Sequence, residues 1–188
     1  MGGIPDRLVA DSTDEPVYDV SIIVPCHDSE TPWQTRFPWP PGFEVLFQFQ
    51  STIASARNAG AARARGKVLA FCDADIEVVG DLKCLYGVLP DWNLAWTVER
   101  REFHGYDRWT DLGVEFLNLA SLLGYPQTVG FMACHRIHFR PFLESPGEDV
   151  IWGQSFPAIR TLPLKAVLLR PFSGPLVWRE RRRTGQDG

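Results

Sequence analysis

The chain has 188 residues, of which 45% are apolar and 22% charged, with a formal net charge of -4. That length suits one domain, the apolar share is enough for a core and excludes wholesale disorder, and the acidic balance argues against a general nucleic-acid binder. A weakly acidic chain can still hold a locally basic pocket for an anionic substrate. Cys26, Cys72, Cys84 and Cys134 form no C-x-x-C pair. Neither a disulfide framework nor a zinc site is expected, and a reducing, cytoplasmic setting fits. The opening MGGIPDRLVADSTDEP lacks the basic and apolar stretches of a signal peptide. No apolar run is long enough to span a bilayer.

Residues 1–18 read as a loose leader. Asp19 to Pro25 (DVSIIVP) is short, apolar and β-branched, the pattern of a buried parallel strand. The next stretch, HDSETPWQTRFPWPPG, is too rich in proline to form a normal helix. Phe43 to Phe49 reads as a second strand. From Ser51 the alanine- and arginine-rich run STIASARNAGAARARG predicts a helix, with Ser51 or Ser55 as its N-cap and Gly66 as its C-cap. Lys67 to Cys72 (KVLAFC) is a third buried strand that ends on Asp73-Ala74-Asp75. A short helix over Asp81 to Leu89 and a strand over Leu94 to Glu99 follow. Residues 109–123 predict an amphipathic helix interrupted on its apolar side by Glu115 and Asn118. Val129 to His135 is short and apolar, Arg136 to Leu143 suits a helical turn, and Val167 to Leu169 suits a late strand. Strand, helix and strand alternate in the first half, which predicts a single α/β domain with a mainly parallel central sheet flanked by helices. In such sheets ligands sit at the carboxyl ends of the strands. Pro25 to Asp28, Gln48 to Gln50, and Asp73 to Asp75 all fall there.

Three groups of residues carry chemistry. Asp73 and Asp75 follow a strand at i, i+2 spacing, which in extended chain points both carboxylates one way. Their mutual repulsion is relieved by a cation, and hard oxygen ligands select Mg²⁺ or Mn²⁺. Two turn-capping aspartates would look the same on D-x-D alone. Arg57 and Asn58 precede Gly60, whose place in mid-helix points to close backbone approach. Arg57 is placed to reach a base or phosphate, whereas Arg63 and Arg65 read as a solvated face. Glu148 and Asp149 follow Pro146-Gly147 at a helix start, where negative charge is favoured; one acid can cap while the other serves as a general base.

Together these segments resemble a known family. Ser55 to Val78 (SARNAGAARARGKVLAFCDADIEV) is similar to the core signature of the family-2 inverting glycosyltransferases of the GT-A fold. There A-R-N-x-G, a helix, A-x-G, an apolar strand and D-x-D succeed one another. VSIIVPCHDSE resembles that family's first strand and turn, and GFMACHRIHFRPFLESPGEDVIW resembles its acceptor region. The resemblance spans roughly Asp19 to Trp152. It implies a GT-A-like (Rossmann-like) domain over 19–172 and a basic tail over 173–188. It implies a nucleotide-sugar donor, a carbohydrate, lipid-linked or other hydroxyl acceptor, and a divalent metal, Mn²⁺ or Mg²⁺. Pro25, Asp28, Arg57, Asn58 and Asp73 would hold the donor, and Asp73 and Asp75 the metal. Asp149 would be the general base, with Glu148 orienting it.

The chain also departs from the family. TPWQTRFPWPPG replaces the helix between the first two strands. Neutral Gln48 and Gln50 stand where an aspartate usually reads the base. No histidine follows Asp149 to serve as a late metal ligand, and little chain follows Trp152 to form an acceptor lid. Three readings follow: an active sugar transferase, a degenerate domain that binds nucleotide or sugar without turnover, and a nucleotidyltransferase. The last lacks its glycine-rich, lysine-bearing loop. Trp33 and Trp39 either bind ligand or cover the sheet face left bare by the missing helix. The run Arg179 to Arg183, broken by Glu180, reads as a solvated tail, with peripheral contact to anionic lipid as its alternative.

Overall fold

The computed structural model describes residues 18–26, 39–91, 93–103 and 108–168. The leader, Asp28, Trp33, the replaced helix and the basic tail lie outside these residues. The described chain forms a seven-stranded sheet in the order β2-β1-β3-β6-β5-β7-β4. Strands β1 (Tyr18–Cys26), β2 (Phe43–Phe49) and β3 (Gly66–Cys72) are mutually parallel, as expected for short, mainly apolar strands joined through a helix. Beyond β3 the sheet is mixed. β6 (Phe131–His135) runs antiparallel to β3 and to β5 (Ala95–Phe103). β7 (Ile159–Leu168) runs parallel to β5 and antiparallel to β4 (Ile76–Val79).

This order forces curvature. Four strand spacings separate β3 from β4 in the sheet, about 19 Å if it were flat. The chain covers the gap from Cys72 to Ile76 in four Cα steps, about 14 Å at full stretch. The far edge therefore curls back toward the end of β3, and the Asp73–Asp75 turn lies on the fold line.

Helix α1 (Ile53–Arg63) packs on the β1–β2 face. It buries only small residues and one arginine: Ala54, Ala56, Arg57, Gly60 and Ala61. Gly60 is the closest point, since a Cβ there would sit 2.3 Å from Ile23 Cγ2 and 3.1 Å from Gln48 Cγ. The caps differ from expectation. Thr52 is the N-cap, and its hydroxyl accepts from the Ser55 amide at 3.1 Å while Ser55 Oγ accepts from the Thr52 amide at 3.2 Å. The helix ends at Ala64, and Gly66 instead opens β3, where a Cβ would lie 2.5 Å from the Ser21 nitrogen.

Other elements are shorter or longer than expected. The helix over Asp81 to Leu89 is a 3₁₀ segment, Leu82–Gly87, capped by Asp81. The turn after β6 covers Arg136–His138 only. Strand β4 was not anticipated, and β7 begins eight residues before the expected Val167. The expected amphipathic helix is α2 (Arg108–Leu122), and its two interrupting residues differ, Glu115 being exposed and Asn118 buried. Asn118 is buried, while Leu112, Phe116, Leu119 and Leu122 are exposed. Asn118 is buried because its amide makes both hydrogen bonds to the Arg101 backbone, at 2.9 and 3.0 Å. Among the described residues no helix is long and apolar enough to cross a membrane. All four cysteines are free, and burial pushes the Cys26 and Cys84 thiols up to about 11. Trp39 stacks on Phe43 at 6.3 Å between ring centroids and packs on the sheet, which matches the covering role.

Glycine-to-alanine exchange within a helix normally stabilises by about 1 kcal/mol. At Gly60 the overpacking against Ile23 reverses the sign, with a net loss of about 1–3 kcal/mol. Urea unfolding of Gly60→Ala measures it, and a gain in stability would show that α1 does not press on β1 this closely.

Candidate active site

The carboxyl ends of β1, β2 and β3 lie on one edge of the sheet, and α1 starts from the same edge. Because β6 is antiparallel to β3, with Phe131 opposite Cys72, the loop entering β6 also reaches this edge. There the Asp73 amide donates to the Gly130 carbonyl at 3.0 Å. The Ile76 amide donates back to the Asp73 carbonyl at 3.0 Å. Asp73 and Asp75 therefore sit on a tight turn, not on the extended chain the i, i+2 argument assumed.

Arg57 is the centre of the site. It lies one turn into α1, on the side that meets the sheet, with only 1% of its surface exposed. Its Nη2 donates to Asp73 Oδ1 at 2.6 Å and its Nη1 to Glu148 Oε1 at 3.2 Å. The guanidinium lies 5.1 Å from the Phe142 ring centroid. Phe142 stacks on Trp152 with centroids 5.0 Å apart, and Trp152 belongs to α3 (Glu148–Gln154). Asn58 serves the same junction. Its Nδ2 donates to the Phe142 carbonyl at 2.9 Å, and its Oδ1 accepts from the Phe142 amide at 2.8 Å.

Helix α3 begins after Gly147, whose φ of 73° is left-handed, and carries Glu148 and Asp149 in its first turn. Burial pushes the Asp149 carboxyl up to about 6. The Arg57 guanidinium opposes this, the charges of Asp73 and Glu148 add to it, and the Val150 amide, 2.8 Å from Oδ1, opposes it again. Arg57 thus stands as one cation among Asp73, Glu148 and Asp149. A cleft of about 240 Å³ opens beside them, lined by Thr52, Ala54, Glu144, Ser145 and Glu148.

The structure brings Arg57, Asp73, Glu148 and Asp149 together across 92 residues of sequence, from position 57 to position 149. Pro25 lies at the same edge, buried and opposite Gln48. Gln48 is 3% exposed and its side chain faces α1, with no hydrogen-bond partner for Nε2. Gln50 is exposed just past β2. Phe142 and Thr128, whose hydroxyl donates to the Asp149 carbonyl at 2.5 Å, are parts of the site that sequence reasoning missed. Thr128 lies in no motif, and Phe142, although inside the segment that resembles the acceptor region, carries no polar group that would mark it.

Residues 29–92 match the family model described as glycosyl transferase family 2. That span holds β2, α1, β3, the Asp73–Asp75 turn and β4. The fold is similar to a mannosyltransferase from Pyrobaculum calidifontis, solved with GDP-Man and Mn²⁺, at a TM-score of 0.55 and 16% identity. That match covers 95% of this chain and 68% of the other. The chain has a GT-A-like fold, and its residues 29–92 resemble family 2 glycosyltransferases. It is also similar in fold to TarS from S. aureus, with a TM-score of 0.52 and 14% identity over 80% of this chain. The match spans 37% of the length of TarS. A search of curated proteins returned no match.

The raised Asp149 value has a consequence for stability. A buried carboxyl whose folded value lies above its ordinary one is easier to fold protonated, so its contribution falls as pH rises from about 4 through about 6. Asp149→Asn removes that burden and can keep the bond to Val150. Thermal unfolding in metal-free buffer is expected to show the variant above wild type at pH 8, with the difference vanishing toward pH 4. A difference that does not change with pH would contradict the burial of this carboxyl.

Proposed function

We propose that this domain transfers a sugar from a nucleoside-diphosphate sugar to an acceptor hydroxyl in one displacement, with inversion. The observation that carries the reading is the Arg57 junction. It holds Asp73 at the strand end and Glu148 at the helix start, and leaves Asp149 partly buried beside them with its pKa raised toward neutrality. A carboxylate tuned upward is a stronger base at working pH and still ionises there. Asp149 then takes the acceptor proton. Glu148, fixed by Arg57, orients the acceptor at the 240 Å³ cleft it helps to line. Arg57, Asn58 and Pro25 shape the donor side of the same edge, and Asp28, outside the described residues, would complete it.

The residues present fit a divalent cation. Asp73, Asp75, Glu148 and Asp149 give this edge more negative charge than Arg57 offsets, and all offer hard oxygen. Among the described residues no three metal-binding side chains converge. Asp73 and Asp75 would therefore hold the ion with the donor's diphosphate completing its shell, the pattern usual for Mg²⁺ and Mn²⁺. When bound, the ion supplies positive charge to the departing diphosphate. The Pyrobaculum enzyme, solved with GDP-Man and Mn²⁺, supports this donor class. A cytoplasmic setting, which the free thiols fit, is part of the reading.

A second reading, nucleotide binding without turnover, draws on Gln48, whose amide is buried against α1 where the family places a base-reading acid. One series separates the two. Nucleoside diphosphates and their sugars are screened by thermal shift with and without Mn²⁺, and donor consumption is followed in parallel. Transfer is expected to need the metal and to fall at least 100-fold in Asp75→Ala and Asp149→Asn. Metal-dependent stabilisation with no donor consumed would favour the binding domain. Full turnover in Asp149→Asn would remove Asp149 as the base.

A further inference from the structure

Arg101 is buried in β5, 1% exposed, and belongs to no motif in the sequence. Its backbone is gripped from one side by Asn118 of α2, through both amide and carbonyl. Its side chain reaches the other way, into the loop that enters β6. Nη2 donates to the Gln127 carbonyl and to Thr97 Oγ1 at 3.0 Å, and Nε donates to the Val129 carbonyl at 3.3 Å. One guanidinium thus holds the carbonyls on both sides of Thr128. Among the described residues no carboxylate pairs with it directly, and burial lowers its pKa to about 10 against the opposing charge of Asp149. It stays protonated at neutral pH.

The loop it holds is the part of the fold that touches both acids of the site. The Thr128 hydroxyl donates to the Asp149 backbone carbonyl at 2.5 Å. Gly130 accepts the Asp73 amide at 3.0 Å. The contact with α3 is tight, since a Cβ on Gly153 would lie 2.2 Å from Thr128 Oγ1. Helix α3 has seven residues and no side-chain cap hydrogen bond at its start, so its first turn depends on outside contacts for its position.

We infer that Arg101 is a positioning residue for the transfer reaction: by fixing the loop 127–130 it sets Asp149 and Asp73 relative to each other. The inference rests on the role proposed for Asp149. Arg101 touches neither reacting group, so its effect falls on geometry rather than on binding. Misplacing a catalytic group by about 1 Å lowers turnover by about 100-fold.

The test uses Arg101→Lys, which keeps the charge but cannot span both carbonyls, and Thr128→Val, which keeps the shape and removes only the hydroxyl. Thr128→Val guards against a folding failure in the buried arginine variant. The first readout is amide hydrogen exchange, which needs no substrate. Exchange at Asp73 and over residues 150–153 is expected to quicken about tenfold or more in Arg101→Lys, while Val20 to Val24 of β1 stay protected. Thr128→Val is expected to quicken residues 150–153 alone. The second readout is kinetic. In both variants kcat is expected to fall about 10- to 100-fold with the donor KM changed less than about threefold. Unchanged local exchange, or a raised donor KM with kcat intact, would overturn the inference. If exchange responds as stated but wild type consumes no donor, the positioning role stands and the transferase reading fails.

Discussion

The site depends on one buried cation. Arg57 joins the end of β3 to the start of α3 through Asp73 and Glu148. A guanidinium suits this place because its fork donates in two directions from one plane. Its burial carries a desolvation penalty that only good pairing offsets. The surroundings supply that pairing and more: the Phe142 ring lies beneath it, and Asn58 locks the Phe142 backbone. Removing the arginine would leave Asp73 and Glu148 without the guanidinium they share, with Asp149 close by as a third like charge.

The small residues of α1 follow from the same constraint. For Arg57 to reach Asp73 from the helix, the helix axis must lie close to the sheet. Alanines at 54, 56 and 61 and glycine at 60 permit that distance, and Gly60 sets it against Ile23. The curl of the sheet meets the helix from the other direction. Only three residues link β3 to β4, so the far edge bends back and keeps the Asp73–Asp75 turn near the helix start. The charges are then concentrated where the first strands end and α1 and α3 begin, which is the edge where the proposed ion and diphosphate would sit.

Much of this was legible in the sequence. The strands β1, β2 and β3 show as short, mainly apolar runs, and the mid-helix glycine before D-x-D signals close packing. Arg57, Asp73, Glu148 and Asp149 all stand in local patterns that mark them. What the sequence concealed is what depends on contacts between distant segments. β4 has four residues and no periodicity of its own, and it exists because β7 pairs with it. Gly66 looks like a helix cap and is instead required by the Ser21 backbone across the sheet. Asn118 looks like a break in an apolar face and is instead the buried contact, because it satisfies the backbone of Arg101. Gln48 shows the limit in the other direction. Its position marks the base-reading end of the family, but only the structure shows that its side chain turns under α1.

The central claim is that the Arg57 junction is the diphosphate and metal end of a sugar-transfer site. The most direct measurement is a crystal structure grown with Mn²⁺ and a nucleoside diphosphate, with the metal located by its anomalous scattering. The account expects one manganese peak at the Asp73–Asp75 turn, bridging carboxylate and diphosphate oxygens, with Arg57 still bonded to Glu148. A nucleotide bound elsewhere, or a diphosphate at this edge with no metal beside either aspartate, would contradict it.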